Sequence, residues 1–241
     1  MSCGCNNINC SHCPTYEQLV AEGAIQGSSL RNIFGWQSSV TTSFIPLWEN
    51  ATTYTYPGSA LTMTVTTSSA SDDGASITVI GLDINYNVIS DTVIANNAVP
   101  PTTSIGFYRI NDVIFSNTGA NVGDITISNG GTTYAKILTG VGRNQASIFT
   151  VPAGKCFYLY RIDAFSNDST AAKPGIFRNY VQYNTGQIYV VARTTFLSNM
   201  NIQRRIPFKY DEKTDIQFQL RTLGGTYEMN VFGEGILKDI P

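Results

Sequence analysis

The sequence predicts an all-β protein: two antiparallel β-sandwich, jelly-roll-like domains preceded by a Cys-rich segment and one short helix. Three observations carry that expectation. Short runs of β-branched and aromatic residues recur along the chain; in 61–66 (LTMTVT) apolar and polar positions alternate with the period of two that a half-buried strand requires. Turn chemistry separates the runs, and Asn129-Gly130-Gly131 is a strong hairpin signal. Charged residues make up only 13% of the 241, about half the usual share of roughly 25%, while 42% are hydrophobic. Exposed positions must then be largely neutral and polar, which suits strands packed in a stable assembly.

The first element is the Cys-rich segment. Four of the five cysteines are Cys3, Cys5, Cys10 and Cys13, spaced C-x-C-x4-C-x2-C, with His12, the chain's one histidine, among them. Thiolates this dense could close around one tetrahedral Zn²⁺, with His12 replacing a sulfur. Disulfides formed after release into an oxidising medium are the rival reading. An unstructured polar tail is the third.

A helix is expected over 15–25. Thr15 and Gln18 form a T-x-x-Q capping box, while Gly23 and Gly27 weaken the far end. Residues 1–29 together make an attachment module.

Strand texture begins at Leu30. Runs at 31–36, 38–45, 61–66, 75–82, 87–95, 106–110, 112–116, 124–128 and 133–138 assign 30–145 to a first β-sandwich. The glycine-rich stretch 139–144 is a linker. A second, jelly-roll-like sandwich covers 146–241. It opens at 147–165, where Ile148, Phe149 and Val151 meet the turn Pro152-Ala153-Gly154. A second run, Cys156 to Ile162, follows, so the chain makes a hairpin or an arch here. Strands at 179–183, 187–194, 200–208, 215–221 and 227–237 complete it.

Little in the chain points to chemistry. With one histidine, a Ser-His-Asp or Cys-His nucleophile has no base. Cys156 is read as a small core residue. Asp83-x-Asn85-x-Asn87 lacks the glycine and glutamate of a calcium loop and is read as a hairpin turn. Asp72-Asp73 sits in a turn; Asp211, Glu212 and Asp215 are neutralised by Lys209 and Lys213. A glycosidase carboxylate pair drawn from two strands is the residual enzyme reading, and the expectation is no enzyme. Arg204-Arg205, on a strand, would point to opposite faces, one exposed and one partnered, so no nucleic-acid patch forms. No Gly-rich phosphate loop is present.

Net charge is −2, which favours neither nucleic acid nor membrane as partner. Residues 1–146 carry 4 Lys/Arg against 9 Asp/Glu, and 147–241 carry 11 against 8. No apolar run approaches the roughly 20 residues that span a bilayer, and the N-terminus lacks the pattern of a secretory leader.

Several segments carry a resemblance. Arg31-Asn32-Ile33-Phe34-Gly35, the hairpin from Gly81-Leu82-Asp83 to Asp91-Thr92-Val93, Phe149-Thr150-Val151-Pro152-Ala153-Gly154-Lys155 and Glu212-Lys213-Thr214-Asp215-Ile216 together resemble tailed-bacteriophage virion structural proteins. The likeness spans about 30–239 and leaves the Cys-rich segment unmatched. It implies two β-domains on the exterior of a virion, commonly as homotrimers, made in the bacterial cytoplasm. It implies partners among virion proteins, either the major capsid protein (capsid decoration, cement or head fibre) or a tail component (tail fibre). For a tail role, a host surface glycan becomes a partner, with Tyr158, Tyr160, Tyr183 and Tyr189 as a stacking platform; core packing is the rival reading for most of the four. It carries over no catalytic residue.

Overall fold

The computed structural model describes residues 14–167 and 173–240. The zinc expectation at Cys3, Cys5, Cys10, His12 and Cys13 falls outside the described residues. The capping box forms as spaced: the Thr15 hydroxyl accepts from the Gln18 N–H at 3.3 Å, and the Gln18 side chain accepts from the Thr15 N–H at 2.8 Å. Helix α1 (Tyr16–Ala21) is shorter than expected. Gly23 takes a φ of 71°, which breaks the helix a turn early.

Apart from a single 3-10 turn at Ala70–Asp72, the rest of the described chain is strand, turn and loop. The strands are β1 (Ser28–Val40), β2 (Ile45–Pro46), β3 (Thr64–Thr67), β4 (Ser76–Leu82), β5 (Val88–Ile94), β6 (Arg109–Ser116), β7 (Ile125–Asn129), β8 (Thr132–Ile137), β9 (Ile148–Thr150), β10 (Lys155–Asn167), β11 (Pro174–Gln182), β12 (Ile188–Leu197), β13 (Asn199–Tyr210), β14 (Asp215–Thr222) and β15 (Tyr227–Asp239). Their pairings are antiparallel.

The largest sheet runs β1-β15-β10-β13-β12-β11-β14-β2, with β9 also on β14. Strands β12 and β13 touch at one pair, Leu197↔Asn199, around Ser198. The path therefore folds there into two layers. One is β1-β15-β10-β13. The other is β12-β11-β14, with β2 and β9 sharing its fourth place. Phe157, Phe177, Phe218, Leu220 and Met229 fill the space between them. Except for the β11–β12 hairpin, successive strands of the roll switch layers in the jelly-roll manner. The stretch 147–165 is an arch: β9 pairs in one layer and β10 in the other.

The shared place explains the domain organisation. β2 sets Ile45 and Pro46 against Leu220 and Gln219; β9 sets Ile148, Phe149 and Thr150 against Gln217, Ile216 and Asp215. Ser147 stitches the two pieces. Its hydroxyl accepts from the Leu47 N–H at 2.8 Å and donates to the Phe218 carbonyl at 2.7 Å. Its own N–H donates to the Leu47 carbonyl at 2.8 Å. One strand position is thus interrupted by a 100-residue excursion that leaves and returns at one point. β1 crosses close by at Gly35, where an added Cβ would lie 2.5 Å from the Leu47 carbonyl and from Ser147 Cβ.

This corrects the expected boundary at residue 30. β1 pairs with β15 from Ser28↔Lys238 onward, and β2 with β14, so both belong with the C-terminal strands. Their alternation was legible, but a strand's partner is a tertiary matter. The excursion forms a smaller sandwich of two three-stranded sheets, β3-β7-β8 and β5-β4-β6. Met63, Ile77, Val79, Phe107, Ile125 and Ile127 make its own core. The expected linker 139–144 lies along β6 instead: the Phe115 N–H donates to Gly142, and the Asn144 N–H to Val113.

Candidate interaction surfaces

The excursion is locked to the roll by buried charge. Arg109, at the head of β6, grips Asp215, at the head of β14, with Nε and Nη2 each 2.9 Å from a carboxylate oxygen. The Thr150 hydroxyl adds a third donor to Asp215 at 2.5 Å. The guanidinium lies 4.1 Å from the Tyr108 ring centroid and 4.4 Å from that of Tyr56. Burial works against the Arg109 charge, but the hydrogen bonds and charge of Asp215 outweigh it and raise its pKa. Asp215 was expected to be neutralised by a neighbouring lysine; its partner is this distant arginine. Beside it, Asn111 and Thr150 exchange two hydrogen bonds at 2.9 and 2.8 Å. Arg143 pairs with Asp112, and Arg31 donates to the Asn111 carbonyl at 2.8 Å. Burial pushes the Glu49 carboxyl up to about 7, although it accepts from the Gln145 N–H. The Arg109–Asp215, Asn111–Thr150 and Arg31–Asn111 contacts are consumed in holding the two units together, while Arg143–Asp112 and Glu49–Gln145 brace the excursion itself.

The other sequence candidates are also occupied. Asp83 Oδ1 accepts from the N–H groups of Asn85 and Asn87, both at 2.8 Å, so its oxygens close the β4–β5 turn. Asp72 is buried and accepts from Val122, Gly123 and Thr67. Lys209 pairs with Asp211 at 2.8 Å. Cys156 is buried in β10. Among the described residues, no three His, Cys, Asp or Glu side chains converge to hold a metal.

Two surfaces remain. The first is the side where the layers part. Beyond Leu197↔Asn199 the outer edge of β12 has no strand beside it among the described residues. Val191, Ile202 and Phe208 of the core are only partly covered there. Outside them Ile188, Val190, Leu197 and Ile206 are 52, 47, 63 and 78% exposed. A free edge flanked by aliphatic side chains is a pairing hazard unless something covers it. Periodicity could not reveal it, because alternation tells which face is buried and not which edge is free.

The second surface comes from tyrosine and arginine. The four proposed tyrosines form two pairs, not one platform. Tyr183 and Tyr189 meet edge to face at 5.7 Å beside Asp211 and Glu212. Tyr158 and Tyr160 instead line a depression of about 650 Å³ with Arg204, Arg205, Pro207 and Lys238. Both arginines are exposed and line the same hollow, against the expectation of opposite faces. The ladder pairs Gln203 with Arg161 and then Phe208 with Leu159, so four residues of β13 face Tyr160 alone. That bulge cancels the alternation, and Pro207 has no N–H to give a ladder.

No protein-family model matches the chain, and no curated protein does. Among solved structures it is similar, at 11% identity and a TM-score of 0.21, to infectious bursal disease virus Gx strain, over 88% of this chain and 72% of that one. It is similar, at 12% identity and a TM-score of 0.17, to a Bacillus thuringiensis Cry1Da tryptic core variant, over 83% of this chain and about half (52%) of that one. Likeness this low carries no argument about function. The fold rests on the strand order.

Proposed function

We propose that the chain is a tailed-phage virion structural protein: a capsid-associated decoration or head-fibre protein that works as a homotrimer and binds neighbouring virion subunits. The observation that supports it is the open side of the roll. Ile188, Val190, Leu197 and Ile206 stand exposed beside an unpaired strand edge and a partly uncovered core. A second copy laid on that side would bury them, and three copies would close a ring. The sequence resemblance supplies the setting. In this reading the action is mechanical, by mated surfaces, with no turnover.

Sedimentation of the full chain tests the self-association: a trimer is expected, and a monomer at tens of micromolar overturns it. Calibrated mass spectrometry of the encoding phage's particles tests the location. Dozens to hundreds of copies support decoration. A handful supports the second reading, a tail component whose roll binds a host surface glycan. The hollow of Tyr158, Tyr160 and Arg205 favours that one, since it offers rings to stack on and a cation to hydrogen-bond.

A further inference from the structure

On the outer face of the second layer three arginines surround one ring. The guanidinium carbons of Arg178, Arg221 and Arg193 lie 4.1, 5.1 and 5.5 Å from the Phe44 centroid. The register builds the row. Arg178 on β11 stands directly opposite Arg193 on β12, and faces Gln219, two residues from Arg221, on β14. Phe44 directly precedes β2, which borders β14. Like charges directly opposite on adjacent strands repel. Burial lowers the Arg178 pKa; Tyr180 opposes the shift, and the charges of Arg193 and Arg221 add to it.

Among the described residues no carboxylate answers them. Arg178 Nε donates to the Gln219 side chain at 2.7 Å, and Arg221 Nη1 to the Thr42 carbonyl at 3.3 Å. Arg193 has neither hydrogen bond nor ion pair among the described residues. By contrast Arg31, Arg109, Arg143 and Arg161 each have an acidic partner. Arg221 Nε is buried with no acceptor among the described residues. Three cationic forks around one ring with no counter-charge among the described residues repel one another, and an oxyanion shared among them would offset that repulsion.

We infer that Arg178, Arg193 and Arg221, gathered on Phe44, form a binding site for an oxyanion, a carboxylate or phosphate group. Guanidinium forks match the two oxygens of either group. The site lies apart from the hollow at Tyr158 and needs no assumption about oligomer or particle.

The test is calorimetric titration of the full chain with three probes at constant ionic strength: inorganic phosphate, glucuronate and a glucuronate polymer. Saturable binding is expected, weakened at least tenfold by Arg193→Gln, whose exposed side chain leaves folding intact, and unchanged by Arg204→Gln. A polymer bound at least tenfold tighter than inorganic phosphate makes the source an acidic glycan; equal affinities per anion make it a free small anion. Absence of saturable binding, or binding indifferent to Arg193→Gln, overturns the site. Neither result bears on the trimer, which sedimentation decides separately.

Discussion

Arg109 and Asp215 meet fork to fork across the junction of roll and excursion, 106 residues apart in sequence, with side chains 7% and 5% exposed. Removing one member strands the other's charge in a buried place. Asp215→Ala is expected to cost about 3–5 kcal/mol. Replacing both, Arg109→Met with Asp215→Leu, is expected to recover most of it, because the desolvation cost goes with the charges. Urea unfolding of the two variants checks this; equal losses in both would contradict it.

Ser147 and Gly35 hold the interrupted strand from two sides. Ser147→Ala strips the Leu47 N–H of a partner and is expected to cost about 1–3 kcal/mol. Gly35→Ala is expected to cost more, since the new methyl meets backbone and must push β1 off the stitch. Melting temperatures rank them.

Glu49 gives the fold a pH dependence. Its carboxyl is raised from 4.5 to about 7 by burial, so between those values the folded chain holds a proton that the unfolded chain has released. Stability then falls as pH rises through that window, by about 3 kcal/mol in all. Glu49→Gln keeps an acceptor for the Gln145 N–H and is expected to flatten the slope. Asp83, Asp91 and Asp124, all lowered from 3.8, act below the window. Urea midpoints at about pH 5 and about pH 8 compare the two chains.

Val190→Lys with Ile206→Glu puts charge on the open side. Both positions are exposed, so stability is expected to change by less than about 0.5 kcal/mol each. Sedimentation is expected to show monomers. A variant that still forms trimers would move the contact elsewhere.

Local chemistry was legible in the chain. The Thr15–Gln18 box, the Asp83 turn, the Asn129-Gly130-Gly131 hairpin and the burial of Cys156 each depend on residues a few positions apart. What was hidden depends on distant partners. Nothing near Ser28–Val40 names Tyr227–Asp239 as its neighbour. Asp72 resembled any turn carboxylate until Val122 and Gly123 arrived from the far end of the excursion. Arg204 and Arg205 share a hollow only because β13 bulges. The three arginines come from three strands, and the Phe44 ring they surround comes from the residue before a fourth.

The stitch at Leu47 and Ser147 has an evolutionary corollary. Because the stumps already touch, whatever is spliced between them strains no strand of the host. Lengthening such a graft costs little: each doubling adds about 0.6 kcal/mol of closure entropy. A chain that traded this cassette for another, or lost it for a tight turn, could keep the strands of the roll and would have to change Asp215, whose charge Arg109 answers.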